Sequence, residues 1–324
     1  MLDTFRKRPQ YLAILLLFFC AYSFTFTPQA LAANSQVRQK LTNPLLRYIR
    51  FKELRPFKNK IEQLIQQETA AGQCQDVAVY FRSLTNGIWM GINERKKFAP
   101  ASLLKVPVMM AYFKDAEKNP NLLSTKVAFS FTFNPDAQYI KAAPNKNLKN
   151  EYTIDELIQI MIEKSDNEAA LFLQRYEPMS QVVKKTFNQL GLPEITYAPG
   201  DTVGIRTYSG FFRMLYNASY LDIGMSEKAL HYLSRSEYRG GIVAGVPKNI
   251  TVAHKFGERR LKEGQTVQLH DAGIIYHPRN PYILGVMTKG DNLEELAGVI
   301  ARISSLVYKE VDSQYQAGFE LLDQ

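Results

Sequence analysis

Apolar positions recur with helical spacing in some parts of the chain and alternate or run together, as in strands, in others. Helices are predicted over residues 58–71, 102–118, 153–163, 168–176, 181–190, 208–219 and 293–309. Strands are predicted over residues 77–84, 88–92, 250–257, 266–276 and 282–288. Asn86 and Gly87 lie between the first two strands and favour a hairpin, because both residue types tolerate positive φ. Thr153 and Glu156 form the pattern of a capping box at the start of a central helix.

The order of these elements predicts how they pack. The last three strands follow one another through short connections, so they must run antiparallel. If all five strands share one sheet, the first and last helices cover one face and the central helices form a second lobe. The sequence therefore predicts an α+β fold: a five-stranded antiparallel sheet covered by terminal helices, plus an all-helical lobe. A cleft between sheet and lobe is the natural place for a functional site.

The first 32 residues have the pattern of a signal peptide. Three basic residues at 6–8 precede an apolar stretch at 11–26, and Ala30 and Ala32 are the small residues that a signal peptidase reads. The apolar stretch is shorter than the ~20 residues of a membrane-spanning helix. We therefore expect cleavage after residue 32 and a secreted or periplasmic protein. An uncleaved membrane anchor is the alternative.

The rest of the chain divides into a basic arm, one folded domain and a tail. Residues 33–57 form the arm, with six basic residues and one acidic residue. We expect this arm to be solvated or to contact the cell wall or a membrane surface. Residues 58–311 form the predicted domain and residues 312–324 a C-terminal tail.

The net charge and the cysteine content limit the binding partners and the disulfide bonds that this protein can have. The net charge is +9 and falls to +7 without residues 1–32, which hold three basic residues and one acidic residue. A positive protein suits an anionic setting such as a cell wall. Nucleic acid is not expected as a partner, because the chain is predicted to be exported and its basic residues form no single stripe. Cys74 is the one cysteine after residue 32, so the cleaved protein cannot form an internal disulfide. We expect the protein to be a monomer.

Three short motifs lie where predicted helices and strands begin or end. Residues 102–105 (Ser-Leu-Leu-Lys) open the first central helix, residues 165–167 (Ser-Asp-Asn) lie between two helices, and residues 255–257 (Lys-Phe-Gly) end a late strand. A serine at a helix N-terminus lies beside free N–H groups and the positive end of the helix dipole. Ser102 is therefore the candidate nucleophile, and Lys105, one turn later, is its candidate base.

The other motif residues have complementary candidate roles. A second lysine nearby disfavours the ammonium form of Lys105, which makes a neutral base plausible. Ser165 would relay a proton to the leaving group. Lys255 would face Ser165 and attract a substrate carboxylate. Asn167 would bind a substrate amide and Lys105, while Asp166 would fix the turn.

Backbone groups complete this predicted site. The N–H groups of Ser102 and Glu258 would form an oxyanion hole beside Gly257. No cofactor is expected. His270 and His277 are an odd number of residues apart, so they would lie on opposite faces of a strand, and this does not fit a metal site.

The three motifs and their order resemble those of class A β-lactamases and penicillin-binding proteins, which read Ser-x-x-Lys, Ser-Asp-Asn and Lys-Thr-Gly. The likeness runs from about residue 58 to residue 309 and includes residues 98–101 (Phe-Ala-Pro-Ala) and 270–273 (His-Asp-Ala-Gly). It implies a serine β-lactamase-like catalytic domain over residues 58–311 and acyl-enzyme chemistry on Ser102.

One departure from the family concerns deacylation. Class A β-lactamases carry a Glu-x-x-x-Asn pattern in a loop between the second and third motifs, and its glutamate activates the deacylating water. Residues 199–201 (Pro-Gly-Asp) resemble the end of that loop, but residues 191–198 are a short stretch without this pattern. Glu194 is the nearby acid. It is either a deacylation base or a solvated loop residue.

A second departure is Phe256, where the family has threonine or serine. That hydroxyl normally binds a substrate carboxylate, which a phenylalanine cannot do. Arg259 and Arg260 follow closely, and an arginine suits a carboxylate. Adjacent strand residues point to opposite faces, so at most one of these arginines is expected to face the cleft.

Together these features predict an exported serine hydrolase that forms an acyl-enzyme on Ser102 and deacylates slowly. Its expected substrate is a β-lactam, a peptidoglycan-derived peptide or a related amide or ester. The alternative is a catalytically silent wall-binding protein that has kept the β-lactamase fold. Covalent labelling that depends on Ser102 distinguishes the two.

Overall fold

The structure is a computed structural model that describes residues 54–130, 149–177, 179–192, 200–260 and 266–319, with side chains as far as Gln314. The predicted signal peptide, residues 33–53 of the predicted arm, and Glu194 lie outside these residues. All described residues belong to one compact unit, residues 51–324.

Helices occupy both ends and the centre of this unit. They are α1 (Leu54–Ala70), α2 (Lys105–Ala116), α3 (Ile154–Glu163), α4 (Asn167–Arg175), α5 (Met179–Gln189), α6 (Ile205–Tyr216), α7 (Ile223–Ser234), α8 (Gly241–Ala244) and α9 (Leu293–Phe319). The strands are β1 (Asp76–Ser83), β2 (Trp89–Ile92), β3 (Lys97–Phe98), β4 (Lys126–Ala128), β5 (Glu151–Thr153), β6 (Val203–Gly204), β7 (Val252–Arg260), β8 (Val267–Ile275) and β9 (Tyr282–Gly290).

Five strands form one sheet in the order β2-β1-β9-β8-β7, and each neighbouring pair is antiparallel. The prediction of an α+β fold with a five-stranded antiparallel sheet is confirmed. Strand β7 lies at one edge of this sheet. Alternate backbone groups of an edge strand point away from the sheet, so β7 can offer N–H groups to a neighbouring segment.

Two hydrophobic cores lie on the two faces of the sheet. On one face, residues of α1 and α9 such as Ile61 and Ile300 pack against strand residues such as Val79 and Leu284. On the other face, the central helices pack around α2 and contact the sheet through residues such as Ala272. Helix α2 is buried at almost every position, so the helical lobe is built around the segment that follows Ser102.

Several element boundaries differ from the prediction. The region 102–118 begins with a separate 3-10 helix, Ala101–Leu104, before α2 starts at Lys105. Helix α9 continues past residue 309 to Phe319, so the predicted tail from residue 312 is helical as far as residue 319. The reason is that Val311 extends the buried stripe of α9 by one more turn and lies in the core.

Helix α7 is absent from the prediction, and its local signal is a cap. Asp222 accepts a hydrogen bond from the backbone of Met225 at 2.7 Å, as an N-cap residue does. Ile223 is exposed and Gly224 lies in the first turn, so the amphipathic pattern at the start of this helix is weak. The capping box of α3 was predicted and is present: Glu156 N donates to Thr153 Oγ1, and Thr153 N donates to a Glu156 carboxylate oxygen.

Two short ladders lie outside the main sheet. Strand β3 pairs with β6, and β4 pairs with β5. The β3–β6 ladder attaches the segment that leads to Ser102. None of the helices in the described ranges contains an apolar stretch of the length that spans a bilayer.

Candidate active site

Ser102 lies in a strained turn at the entrance to the helical lobe. It is the second residue of the 3-10 helix Ala101–Leu104 and is half-buried. The preceding residue, Ala101, has a φ of 49°, in the left-handed region that residues with a Cβ rarely adopt. A backbone held in such a conformation requires support from its surroundings.

Gly257 brings the edge of the sheet against this turn. A Cβ added at Gly257 would lie 3.1 Å from the backbone nitrogens of both Ser102 and Leu103. The absence of a side chain therefore lets β7 approach the backbone of the serine. The third motif and the first motif are in direct contact at this point.

The second motif is a tight turn between α3 and α4. Ser165 has a φ of 54° and is almost fully buried. Asp166 accepts a hydrogen bond from Ala169 N at 2.7 Å and caps α4, so it fixes the turn as the sequence predicts. Burial raises the pKa of Asp166, while its bond from Ala169 opposes that rise.

Lys105 binds this turn with three hydrogen bonds. Its Nζ lies within hydrogen-bond distance of the Ser165 carbonyl at 2.5 Å, of Ser165 Oγ at 3.2 Å and of Asn167 Oδ1 at 2.7 Å. Only 4% of Lys105 is exposed. The first and second motifs are therefore joined through one buried amine.

Lys255 reaches the same hydroxyl from the sheet. Its Nζ donates to Ser165 Oγ at 2.7 Å and to the carbonyl of Phe256 at 2.9 Å, and the side chain is fully buried. Ser165 Oγ thus accepts hydrogen bonds from both lysines. Through them, its hydroxyl links the helical lobe to the sheet.

Burial dominates the electrostatics of the two lysines. Desolvation lowers the pKa of Lys105 to about 7, although Asp166 and Glu258 favour its charged form. Desolvation and repulsion from Lys105 hold the pKa of Lys255 well below its usual range. Because both nitrogens bond to Ser165 Oγ, they lie within about 6 Å of each other, where like charges oppose each other's ionisation. Lys105 is therefore suited to exchange a proton near neutral pH.

The ring of Phe256 lies against the buried amine of Lys255, whose Nζ is 4.2 Å from the ring centroid. The same ring is buried 4.2 Å from the ring of Tyr238 and belongs to the core under the terminal helices. Nothing in the local sequence pattern links Phe256 to Tyr238, so this partner could not be predicted. The structure thus gives a physical place to the phenylalanine that departs from the family motif.

The residues after Gly257 alternate between the faces of β7. The register with β8 is regular through Arg260, so Arg259 shares the face of Lys255 and Gly257. Arg259 is half-buried and Arg260 is exposed. Of the two arginines, Arg259 is therefore the one on the cleft face. Glu258 is half-buried, and its carboxylate raises the pKa of both lysines.

His254 supports β7 from behind. Its Nδ1 lies 2.8 Å from Asp271 Oδ1, and Asp271 Oδ2 accepts a hydrogen bond from Ile242 N at 3.0 Å. Both side chains of the pair are buried. In the described parts of the chain, no group of three or more potential ligands could hold a metal ion.

Comparisons with solved structures place the fold among serine β-lactamases and penicillin-binding proteins. A mutant of PBP-A, solved as an acyl-enzyme complex with penicillin G, is 21% identical with a TM-score of 0.64, covering 79% of this chain and 97% of that one. A β-lactamase from Chitinophaga pinensis is 20% identical with a TM-score of 0.65, covering 78% and 99%. The TLA-3 extended-spectrum β-lactamase is 17% identical with a TM-score of 0.66, covering 78% and 98%.

Sequence comparison assigns the family. No curated protein matches the chain significantly. The model of the β-lactamase enzyme family matches residues 56–311, nearly the same span as the predicted catalytic domain. The chain therefore belongs to the β-lactamase enzyme family.

Proposed function

We propose that this protein is an exported serine hydrolase that forms an acyl-enzyme on Ser102 with a β-lactam, a wall peptide or a related amide or ester. The observation that carries the proposal is the pair of hydrogen bonds from Lys105 and Lys255 to Ser165 Oγ. A buried hydroxyl between two buried amines is equipped to pass a proton. The pattern of residues 1–32 supports export.

Acylation begins with attack of Ser102 Oγ on the acyl carbon. Its proton passes to the neutral Nζ of Lys105, whose pKa of about 7 leaves much of it unprotonated at neutral pH. When the tetrahedral intermediate collapses, the bond from the acyl carbon to the leaving nitrogen or oxygen breaks. Ser165 donates its proton to that leaving atom and is reprotonated by Lys105.

The negative charge of the intermediate is stabilised at the contact between β7 and the serine turn. The N–H groups of Ser102 and Glu258 are the donors in this proposal, and Gly257 permits their approach. Lys255 donates a hydrogen bond to Ser165 Oγ and so orients its hydroxyl. Asn167 and Arg259 bind the substrate, the amide through Asn167 and a carboxylate through Arg259.

Deacylation is slow in this proposal, because the short stretch 191–198 lacks the Glu-x-x-x-Asn pattern of class A β-lactamases. Glu194 is the remaining candidate base. The rival proposal, a silent wall-binding protein, rests on Phe256, which is buried and offers no hydroxyl to a substrate.

Incubation with penicillin G tests the nucleophile. We expect the mature protein to gain the full mass of penicillin, because the leaving nitrogen stays tethered to the acyl group when the lactam C–N bond opens and takes up the proton that Ser102 loses. The adduct should persist for hours. Ser102→Ala should form none, whereas Ser219→Ala, which changes an exposed serine, should react like the wild type. Intact-mass spectrometry over time measures each species.

Other outcomes of this experiment have definite meanings. An adduct on Ser102→Ala would remove Ser102 as nucleophile. An adduct that clears within minutes, and more slowly in Glu194→Gln, would assign Glu194 as the deacylation base and contradict slow turnover. No adduct with penicillin or an activated ester, combined with saturable peptidoglycan binding that survives Ser102→Ala, would favour the silent binding protein.

The pH dependence of acylation tests the base. Because burial lowers the pKa of Lys105 to about 7, its amine is neutral above that pH and charged below it. The acylation rate constant should therefore rise with pH and reach half of its maximum near pH 7. Lys105→Met should lower it by roughly 10²- to 10⁴-fold, the usual contribution of a general base. A rate constant that stays flat from pH 5 to 9 would contradict this role. Stopped-flow mixing with a chromogenic cephalosporin provides the measurement.

The contact at Gly257 gives a third prediction. In Gly257→Ala the new methyl group would meet two backbone nitrogens at 3.1 Å, so the strand and the serine turn must separate by a few tenths of an ångström. We expect acylation to slow by roughly tenfold or more, since small misplacements of reacting groups have large effects on rate. Gly210→Ala is the control, because a methyl group there meets nothing within 4 Å. Equal acylation rates for both variants would show that this contact does not position the oxyanion hole.

A further inference from the structure

Both backbone polar groups of Ala99 are bound by side chains of β8. Ala99 N donates to Gln268 Oε1 at 3.1 Å, and Ala99 O accepts a hydrogen bond from His270 Nε2 at 3.1 Å. All three residues are buried. Ala99 follows β3 directly and precedes Ser102 by three residues. Two side chains thus provide the pairing that a neighbouring strand would otherwise give.

The hydrogen bond at Nδ1 of His270 determines which ring nitrogen donates to Ala99. Nδ1 accepts a hydrogen bond from Thr288 N at 3.3 Å, so Nε2 carries the proton and donates it to Ala99. Burial lowers the pKa of His270 to about 4, so the imidazole is neutral at physiological pH. The ring of Phe98 packs against it edge-on with centroids 5.4 Å apart. The imidazole is therefore held on three sides.

The position of Ala99 explains why such a fixed contact matters. Pro100 has no N–H, and Ala101 has the strained φ of 49°. The strained turn between Ala99 and Ser102 could relax if its N-terminal end, Ala99, were not held in place. Its C-terminal end is held by the close approach of Gly257 to the Ser102 backbone. The hydrogen bonds of Ala99 hold its N-terminal end.

We propose that Gln268 and His270 are positioning residues for the nucleophile. Through Ala99 they hold the strained turn and so set the place of Ser102 Oγ and Ser102 N–H relative to Lys105 and β7. The inference rests on the proposed function of Ser102. It goes beyond that function by assigning part of the reactivity to two residues of the sheet that do not touch the substrate.

A pair of substitutions at His270 separates positioning from general support. In His270→Gln the side-chain amide reaches the place of Nε2 and can still donate to Ala99 O. In His270→Asn the shorter amide can accept from Thr288 N but leaves Ala99 O without its donor. Gln268→Met removes the acceptor for Ala99 N at similar volume. Ser304→Ala is the control, since it deletes a buried hydroxyl that donates to the carbonyl of Ile242, far from Ser102 in the chain.

Acylation by penicillin G should slow by roughly 10- to 100-fold in His270→Asn and Gln268→Met. The Kd of the non-covalent complex should stay within about threefold of wild type, because both side chains are buried and bond to Ala99. His270→Gln should retain most of the wild-type rate constant, and Ser304→Ala should retain all of it. Circular dichroism first establishes that each variant is folded at the assay temperature. Equal losses in His270→Gln and His270→Asn, or no loss in His270→Asn and Gln268→Met, would overturn the proposal.

Amide hydrogen exchange supplies a readout that does not require activity. The N–H groups of Ala99 and Ser102 should exchange faster in His270→Asn than in His270→Gln, while amides of α9 stay unchanged. If wild-type protein is never acylated, the proposed function fails, and this comparison alone decides the positioning role. Identical exchange at Ser102 in both variants would then refute it.

Discussion

The arrangement around Ser102 depends on two buried lysines, which lie on either side of the Ser165 hydroxyl. Lys105 from the helical lobe and Lys255 from the sheet both bond to Ser165 Oγ. Two charges at most about 6 Å apart repel by at least about 3 kcal/mol at an effective dielectric constant near 20, which is about a hundredfold in a protonation equilibrium. Desolvation acts in the same direction. A neutral amine beside the serine turn is therefore a consequence of where the fold places these side chains.

Other parts of the fold position the residues that meet at Ser165. The apolar helix α2 anchors Lys105 in the core of the lobe, and the capped turn at Asp166 presents Ser165 to it. Strand β7 brings Lys255 to the same point and uses Gly257 to approach the serine backbone. His254 and Asp271 support β7 from its other face. The proposed reactivity of Ser102 therefore depends on side chains that meet where the helical lobe contacts the sheet.

Much of this could be predicted from the sequence, because the motifs lie at ends of elements with clear periodicity. The five strands, the capping box at Thr153 and the convergence of the three motifs follow from local patterns and the family resemblance. Other features depend on partners distant in the chain. The hydrogen bonds of Ala99 reach residues 268 and 270, and Phe256 packs on Tyr238. Single contacts between side chain and backbone leave no periodic signal. Two-residue ladders such as β3–β6 are too short to produce one.

The central claim is that the pKa of Lys105 lies near 7, well below the ordinary lysine range, and NMR of the lysine side-chain nitrogens tests it most directly. In protein labelled with ¹⁵N at lysine Nζ, one signal should titrate near pH 7 and disappear in Lys105→Met. A second signal, absent in Lys255→Met, should also titrate below the ordinary lysine range, as burial and its neighbour require. If every lysine titrates near the ordinary value of about 10.4, Lys105 is a permanent cation, and the mechanism built on it is wrong.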